Sequence, residues 1–212
     1  MTEKSITKKS VLILGSNGGI GSSICKILKK SHNYSVTEYT RTDLDVSNPS
    51  EIFDKDFSNY DLIINCTGHS KGTYLGFLKN NWKNQLDQIM TNYVGNLFVL
   101  KHFANSRKHG KYVWISTILL DQSRPFHSVY AGTKAASKFS IDLIRQEATH
   151  IDVLEIKIGL VKTNFRKTNF LNTKTAEEVD KMYRDGQALD PTYVAEKIIN
   201  AIDDDINEIH IK

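Results

Sequence analysis

Residues 11–25 read Val-Leu-Ile-Leu-Gly-Ser-Asn-Gly-Gly-Ile-Gly-Ser-Ser-Ile-Cys. Four consecutive apolar residues, Val11 to Leu14, are what a strand buried on both faces carries. Gly15 ends that run, and from about Ile20 the apolar positions Ile24, Ile27 and Leu28 share one face of a helix. The stretch is therefore strand, glycine loop, helix. Glycines at Gly15, Gly19 and Gly21, with Ser16, Asn17 and Ile20 between them, let the backbone turn sharply and approach an anion. The start of the helix then offers that anion free N–H groups and the positive end of its dipole. No Lys-Ser/Thr pair follows at the spacing of a nucleoside-triphosphatase loop, and the order is G-x-x-x-G-x-G rather than G-x-G-x-x-G.

The same alternation continues outward. Strands are expected at Ser35–Thr40, Leu44–Val46, Asp61–Asn65, Lys111–Thr117, Val153–Ile158 and Glu208–Ile211. Helices are expected after Pro49, over about Trp82–Lys108, from about His127 to His150, over Ala176–Arg184 and over Thr192–Ile202. Strands separated by helices imply right-handed crossovers and a doubly wound, mostly parallel α/β sheet of about seven strands with helices on both faces. No linker or repeat divides residues 1–212, which predicts one domain.

Composition narrows the function. The 212 residues are 40% hydrophobic and 25% charged, ordinary for a globular chain. Two cysteines, Cys25 and Cys66, make no disulfide framework, and the scattered histidines show no zinc-ligand spacing, so no metal is expected. No apolar run reaches the ~18 residues of a membrane span, and Met1 to Ser10 lacks a signal-peptide core. The expectation is a cytoplasmic protein without a membrane partner. A net charge of +4 spread along the chain gives no basic stripe for nucleic acid but suits an anionic small ligand.

Two further features carry chemistry. At the end of the second strand, where a dinucleotide's adenosine ribose would lie, stands Tyr39-Thr40-Arg41 rather than an acid. Arg41 is the only Lys or Arg between Lys30 and Lys55. Arginine there accommodates a 2′-phosphate, which favours NADP over NAD. Tyr130 and Lys134 stand four residues apart on one helix face. A second such pair, Tyr193 and Lys197, lacks a strand-end hydroxyl upstream, whereas Ser116-Thr117 closes a strand thirteen to fourteen residues before Tyr130.

Taken together these motifs resemble the short-chain dehydrogenase/reductase family, nearly end to end. Gly15, Gly19 and Gly21 match its cofactor loop, and Asn65-Cys66-Thr67-Gly68 is similar to its N-N-A-G segment. Asn92-Tyr93-Val94-Gly95 resembles the long-helix motif, Ile115-Ser116-Thr117 the serine-ended strand, Tyr130/Lys134 the Y-x-x-x-K pair, and Gly159-Leu160-Val161-Lys162-Thr163 the segment lining the nicotinamide. The resemblance implies a Rossmann-type fold, NADP as cofactor, and Asn92, Thr117, Tyr130 and Lys134 as catalytic residues. It also implies that Asp45, in a D-V pair with Val46, contacts adenine and that Val46, Asn65, Gly68, Gly159, Val161 and Thr163 border the cofactor. Threonine replaces the usual serine at Thr117, Ile158 replaces a proline, and the connection from Arg41 to Asp45 is too short for the family's helix between the second and third strands.

The chemistry follows from the groups. A ketone receiving hydride develops negative charge on oxygen and needs a proton donor and fixed hydrogen bonds there. Tyr130 is the expected donor, with its pKa lowered by Lys134 and oxidised cofactor. By resemblance Lys134 holds the nicotinamide ribose, Thr117 binds the substrate oxygen and Asn92 supports a water chain to Lys134. A substrate cover is expected over about 164–187, with Phe165, Phe170, Leu171, Met182 and Tyr183, and with Arg166 and Lys167 as candidate anion contacts. Phe126, His127 and Ile118–Asp121 are expected on the other wall, and His69 and Tyr74 beyond the fourth strand. The resulting expectation is an NADP-dependent carbonyl reductase. A non-catalytic NADP-binding regulator and a nucleotide-sugar epimerase or dehydratase are the alternatives. By the same resemblance the two long helices would pair copies into a homodimer or homotetramer.

Overall fold

The computed structural model describes residues 8–122, 124–167 and 173–212. The chain alternates as the sequence predicts: β1 (Lys9–Leu14), α1 (Gly19–Leu28), β2 (Tyr34–Tyr39), α2 (Pro49–Phe53), β3 (Leu62–Asn65), α3 (Gly76–Lys79) and α4 (Trp82–Ile89). There follow α5 (Asn96–Ser106), β4 (Gly110–Thr117), α6 (Ser128–Glu147), β5 (Ile151–Ile158), α7 (Asn164–Lys167), α8 (Thr173–Arg184), α9 (Pro191–Ile202) and β6 (Glu208–Ile211). Among the described residues six strands form one parallel sheet in the order β2-β1-β3-β4-β5-β6. The order reverses between β1 and β3, and the strand ends there open the crevice in which doubly wound folds bind ligands.

Each face of the sheet carries its own core. Val11, Ile13, Leu62, Ile64, Val113 and Leu154 turn toward α1 and α9, while Leu12, Leu14, Ile63, Tyr112 and Trp114 turn toward α5 and α6. The strict alternation along β1 and β3 is the pleat of a strand covered on both sides, the reason its sequence is continuously apolar. No helix among the described residues is long and apolar enough to cross a membrane.

One expected strand is absent, so the sheet has six strands rather than seven. Leu44 and Val46 are buried at 2% and 4% exposure, as their apolar-x-apolar pattern suggests. They reach the core from a turn, not from a ladder. The Asp43 carboxylate accepts from the Thr40 backbone N–H (2.8 Å) and hydroxyl (2.7 Å), and the Leu44 N–H donates to the Thr40 carbonyl at 3.2 Å. The backbone folds on itself there and leaves β2 as the sheet edge. Asn48 then caps α2, accepting from the Ser50 N–H at 3.2 Å with Pro49 at the first helical position.

The long helix predicted over Trp82–Lys108 is continuous through α4 and α5, but Met90–Gly95 widens into a π-turn. Such turns concentrate at functional sites, and this one contains Asn92. Gly95 is required within it, because a Cβ there would stand 2.2 Å from the Val46 carbonyl oxygen.

Candidate active site

The glycine loop folds as its sequence demands. Gly15 adopts φ +72°, and its carbonyl lies so close to the first turn of α1 that a Cβ on Gly21 would stand 2.3 Å from that oxygen. A Cβ on Gly19 would stand 2.3 Å from Thr163 Cγ2, so the loop after β5 presses directly on the helix start. No side chain caps α1 and no acid lies in its first turn. The opening N–H groups of the helix therefore face the crevice with neither an intrahelical acceptor nor a repelling carboxylate.

That crevice is a cavity of about 520 Å³. Of the residues expected to hold cofactor, Asn17, Gly19, Ile20, Gly21, Gly68, Gly159, Val161 and Thr163 line it, as do Thr117, Tyr130 and Lys134. Gly15, Ser16, Arg41, Asp45, Val46, Asn65 and Asn92 do not. Ser16 is buried beneath the loop, its N–H bonded to the Tyr39 carbonyl. Asn65 is committed to structure: its side-chain N–H groups reach Tyr112 Oη (2.8 Å) and Asn96 Oδ1 (3.2 Å), and its oxygen accepts from Thr67. Val46 belongs to the α5-side core. Arg41 forks onto Asp45 Oδ2 through Nε (2.9 Å) and Nη2 (2.8 Å), while Asp45 Oδ1 accepts from the Ser47 N–H and hydroxyl.

Asn92 occupies a place that the sequence does not suggest. Its Oδ1 accepts from the His69 N–H at 2.8 Å and its Nδ2 donates to the His69 carbonyl at 2.7 Å, with a longer contact to Thr133 Oγ1. The side chain is 1% exposed and clamps the loop after β3 to the π-turn. The Asn92 carbonyl accepts from the Ser137 hydroxyl at 3.0 Å. His69, expected near substrate, is not among the residues lining the cavity, and its backbone holds Asn92. Burial holds its imidazole below the ordinary range.

Tyr130 and Thr117 meet inside the cavity. Burial pushes the Tyr130 phenol up to about 12, against the positive charge of Arg166 and the polarity of the nearby Thr117 hydroxyl, which pull it down. Lys134 lies buried beside the same cavity. Its ammonium turns inward, donates to the Ile115 carbonyl at 2.7 Å and stands 5.4 Å from the centre of the Trp114 ring. At 4% exposure, desolvation brings it down to about 8, opposed by the buried Glu155 carboxylate. Cys66 also lines the cavity, but burial raises its thiol to about 12, so it is neutral and no nucleophile.

The far wall is aromatic and cationic. Tyr74 and His127 pack edge to face with ring centres 5.1 Å apart, Phe165 lies 6.3 Å from the Tyr130 ring, and the Arg166 guanidinium sits over Tyr74 at 5.8 Å. Leu119 and His127 line the cavity as expected, whereas Phe126 is 59% exposed outside it. Phe170 and Leu171 lie outside the described residues, as do the side chains of Lys167 and 173–176. Ser70 and Thr73 join the wall unforeseen. Nothing in a Gly-His-Ser-Lys-Gly-Thr stretch marks it, because only the return of the loop past β3 brings it there.

Comparison with known proteins agrees with this geometry. The profile of the short chain dehydrogenase family matches residues 39–174. Dehydrogenase/reductase SDR family member 7B of Xenopus laevis is 31% identical over 155 residues, covering 67% of this chain and 45% of that protein. The Bos taurus protein of the same name is 31% identical, covering 69% and 46%. The chain thus spans about half the length of the curated relatives it matches. Among solved structures, a small-chain dehydrogenase in complex with NADPH superposes with a TM-score of 0.83 at 23% identity, covering 97% of each chain.

Proposed function

Because this chain belongs to the short chain dehydrogenase family, we propose that it is an NADP-dependent oxidoreductase that reduces a ketone or aldehyde to an alcohol, with Tyr130 as proton donor. The observation that carries this reading is one cavity lined together by the neutral Tyr130 phenol, the Thr117 hydroxyl and the buried Lys134 ammonium.

The residues fit a dinucleotide. The glycine contacts leave backbone where a Cβ would intrude, and the uncapped start of α1 awaits an anion. Gly19, Ile20 and Gly21 would hold the pyrophosphate, and Gly159, Val161 and Thr163 would border the nicotinamide. Bound NADPH supplies the hydride. Thr117 orients the substrate oxygen by hydrogen bonding, and Tyr130 gives it a proton as negative charge develops there. Lys134, with a pKa near neutrality, then restores the phenol; an ammonium at about 8 yields its proton readily to a phenolate whose acid form lies at about 12.

Two features favour NADP. Arg41 is exposed at the end of β2, and neither nearby acid is offered to a ribose diol. Asp43 is spent on Thr40, and Asp45 on Ser47 and Arg41. A 2′-phosphate would compete with Asp45 for the guanidinium. The assembly we propose is a homodimer built on α4–α5 and α6, where Trp82, Leu86, Ile89, Phe139 and Leu143 are exposed in two helical stripes. Two free cysteines suit a reducing compartment, the cytoplasm.

Fluorescence titration with NADPH and NADH, wild type beside Arg41→Ala, tests the cofactor. The expected result is tighter binding of NADPH, with that preference lost in the variant. Absence of binding by either nucleotide would overturn the reading.

A further inference from the structure

The lining of the cavity carries charge of one sign. Its cationic lining residues are Lys134, Lys162 and Arg166, and no Asp or Glu lines it among the described residues. Two of the three cations already have work. Lys134 is bonded to the Ile115 carbonyl, and Lys162 acts electrostatically on Asp190.

Arg166 differs from both. It is half-buried, follows Phe165 in the short helix α7, and has no carboxylate within ion-pair distance among the described residues. Its guanidinium is instead poised over the Tyr74 ring, 5.8 Å from the ring centre. A cation–π contact of this kind holds the guanidinium near the ring without using its N–H donors. The charge of Arg166 is felt at Tyr130, Tyr74 and His127, which locates it at the reacting end of the cavity and not at the glycine loop. Arg124 adds a second positive field at Tyr74 and His127. His127 supplies no competing charge, since its Nδ1 bonds to the Pro125 carbonyl and burial keeps the ring neutral.

We propose that the carbonyl substrate is an oxo acid, whose carboxylate is held by the Arg166 fork above Tyr74 while its ketone or aldehyde oxygen meets Tyr130 and Thr117. The proposal rests on the carbonyl-reductase reading above. In the reaction the C=O π bond breaks, and one C–H and one O–H bond form. NADPH is oxidised, the carbonyl is reduced, the proton comes from Tyr130, and the carboxylate is unchanged. Planar, two-point recognition suits guanidinium and carboxylate geometry, and a charged hydrogen-bonded pair of this kind discriminates strongly against a neutral analogue.

The test uses 2-oxobutanoate, acetoacetate and 4-oxopentanoate, each beside its methyl ester, with wild type and Arg166→Gln. NADPH oxidation gives kcat/KM for acid and ester. For the best acid, wild type should prefer the carboxylate by about 10–100-fold, mostly in KM, and the variant should lose that preference. The ratio is the readout because removing Arg166 also removes its field at Tyr130 and slows both partners of each pair. An acid-to-ester ratio unchanged by Arg166→Gln, or near one in wild type for all three pairs, overturns the proposal. Calorimetric titration of the same three acids into the enzyme with NADP⁺ separates the two inferences. Carboxylate binding lost in Arg166→Gln without any turnover would sustain the anion site and sink the reductase reading. No carboxylate binding at all would sink the anion site.

Discussion

Replacing Asn92 by alanine separates a structural from a chemical role for this residue. The side chain makes two short bonds to the backbone of His69, 2.8 Å as acceptor and 2.7 Å as donor, at 1% exposure. Alanine leaves one part-buried N–H and one part-buried carbonyl of His69 without these partners. A fully buried orphan costs about 1–3 kcal/mol, so two set the loss at up to about 2–6 kcal/mol, or roughly 4–24 °C in Tm for a chain of this size. Asn92→Asp keeps the acceptor for the His69 N–H but sets a carboxylate against the His69 carbonyl, so it should also be destabilised. Urea unfolding followed by circular dichroism measures both. The m-value should hold while the midpoint falls. A loss of stability below about 0.5 kcal/mol in Asn92→Ala, with activity abolished, would refute the clamp and return the side chain to the chemistry.

Two further outcomes follow from the site. Tyr130→Phe removes the proton donor and should lower the rate of carbonyl reduction by roughly 10²–10⁴ with NADPH affinity retained; near-wild-type turnover in that variant would remove Tyr130 from the mechanism. The Lys134 ammonium is depressed from 10.5 to about 8 by desolvation, so its charged form prevails below that pH and is lost above it. Reductive kcat at saturating NADPH should therefore decline as pH rises through about 8. Because the Glu155 carboxylate raises Lys134, Glu155→Gln should move that decline to lower pH; a shift to higher pH would contradict the assignment.

The parts of the molecule legible in sequence are those set by local periodicity. Val11–Leu14 and Leu62–Asn65 announce buried strands because both faces are covered, and the spacing of Ile24, Ile27 and Leu28 announces the face of α1. Leu44 and Val46 misled for the same reason. Their alternation records burial, which is correct, but alternation cannot show whether a strand lies alongside to take the backbone bonds. Here Thr40 takes them. The Asn92–His69 clamp and the Arg41–Asp45 fork were equally hidden. The first joins residues 23 apart through a π-turn, and the second turns two expected ligand contacts on each other.

The two halves of the cavity differ in kind. The glycine-loop half is backbone and empty space, so its residues can be read from the chain one after another. The Tyr130 half is assembled from the loop after β3, the start of α6 and α7, and its character emerges only from their sum. That sum bears on direction. The charge of Arg166 draws the Tyr130 phenol down, and a substrate carboxylate held as proposed on the guanidinium would neutralise that pull. The phenol then holds its proton more firmly until an alkoxide, a far stronger base, forms beside it. On the proposed reading, loading the anion raises further a phenol that already holds its proton at neutral pH, so Tyr130 stays in its donor form until the alkoxide forms, and Lys134 at about 8 is the cavity-lining acid proposed to recharge it.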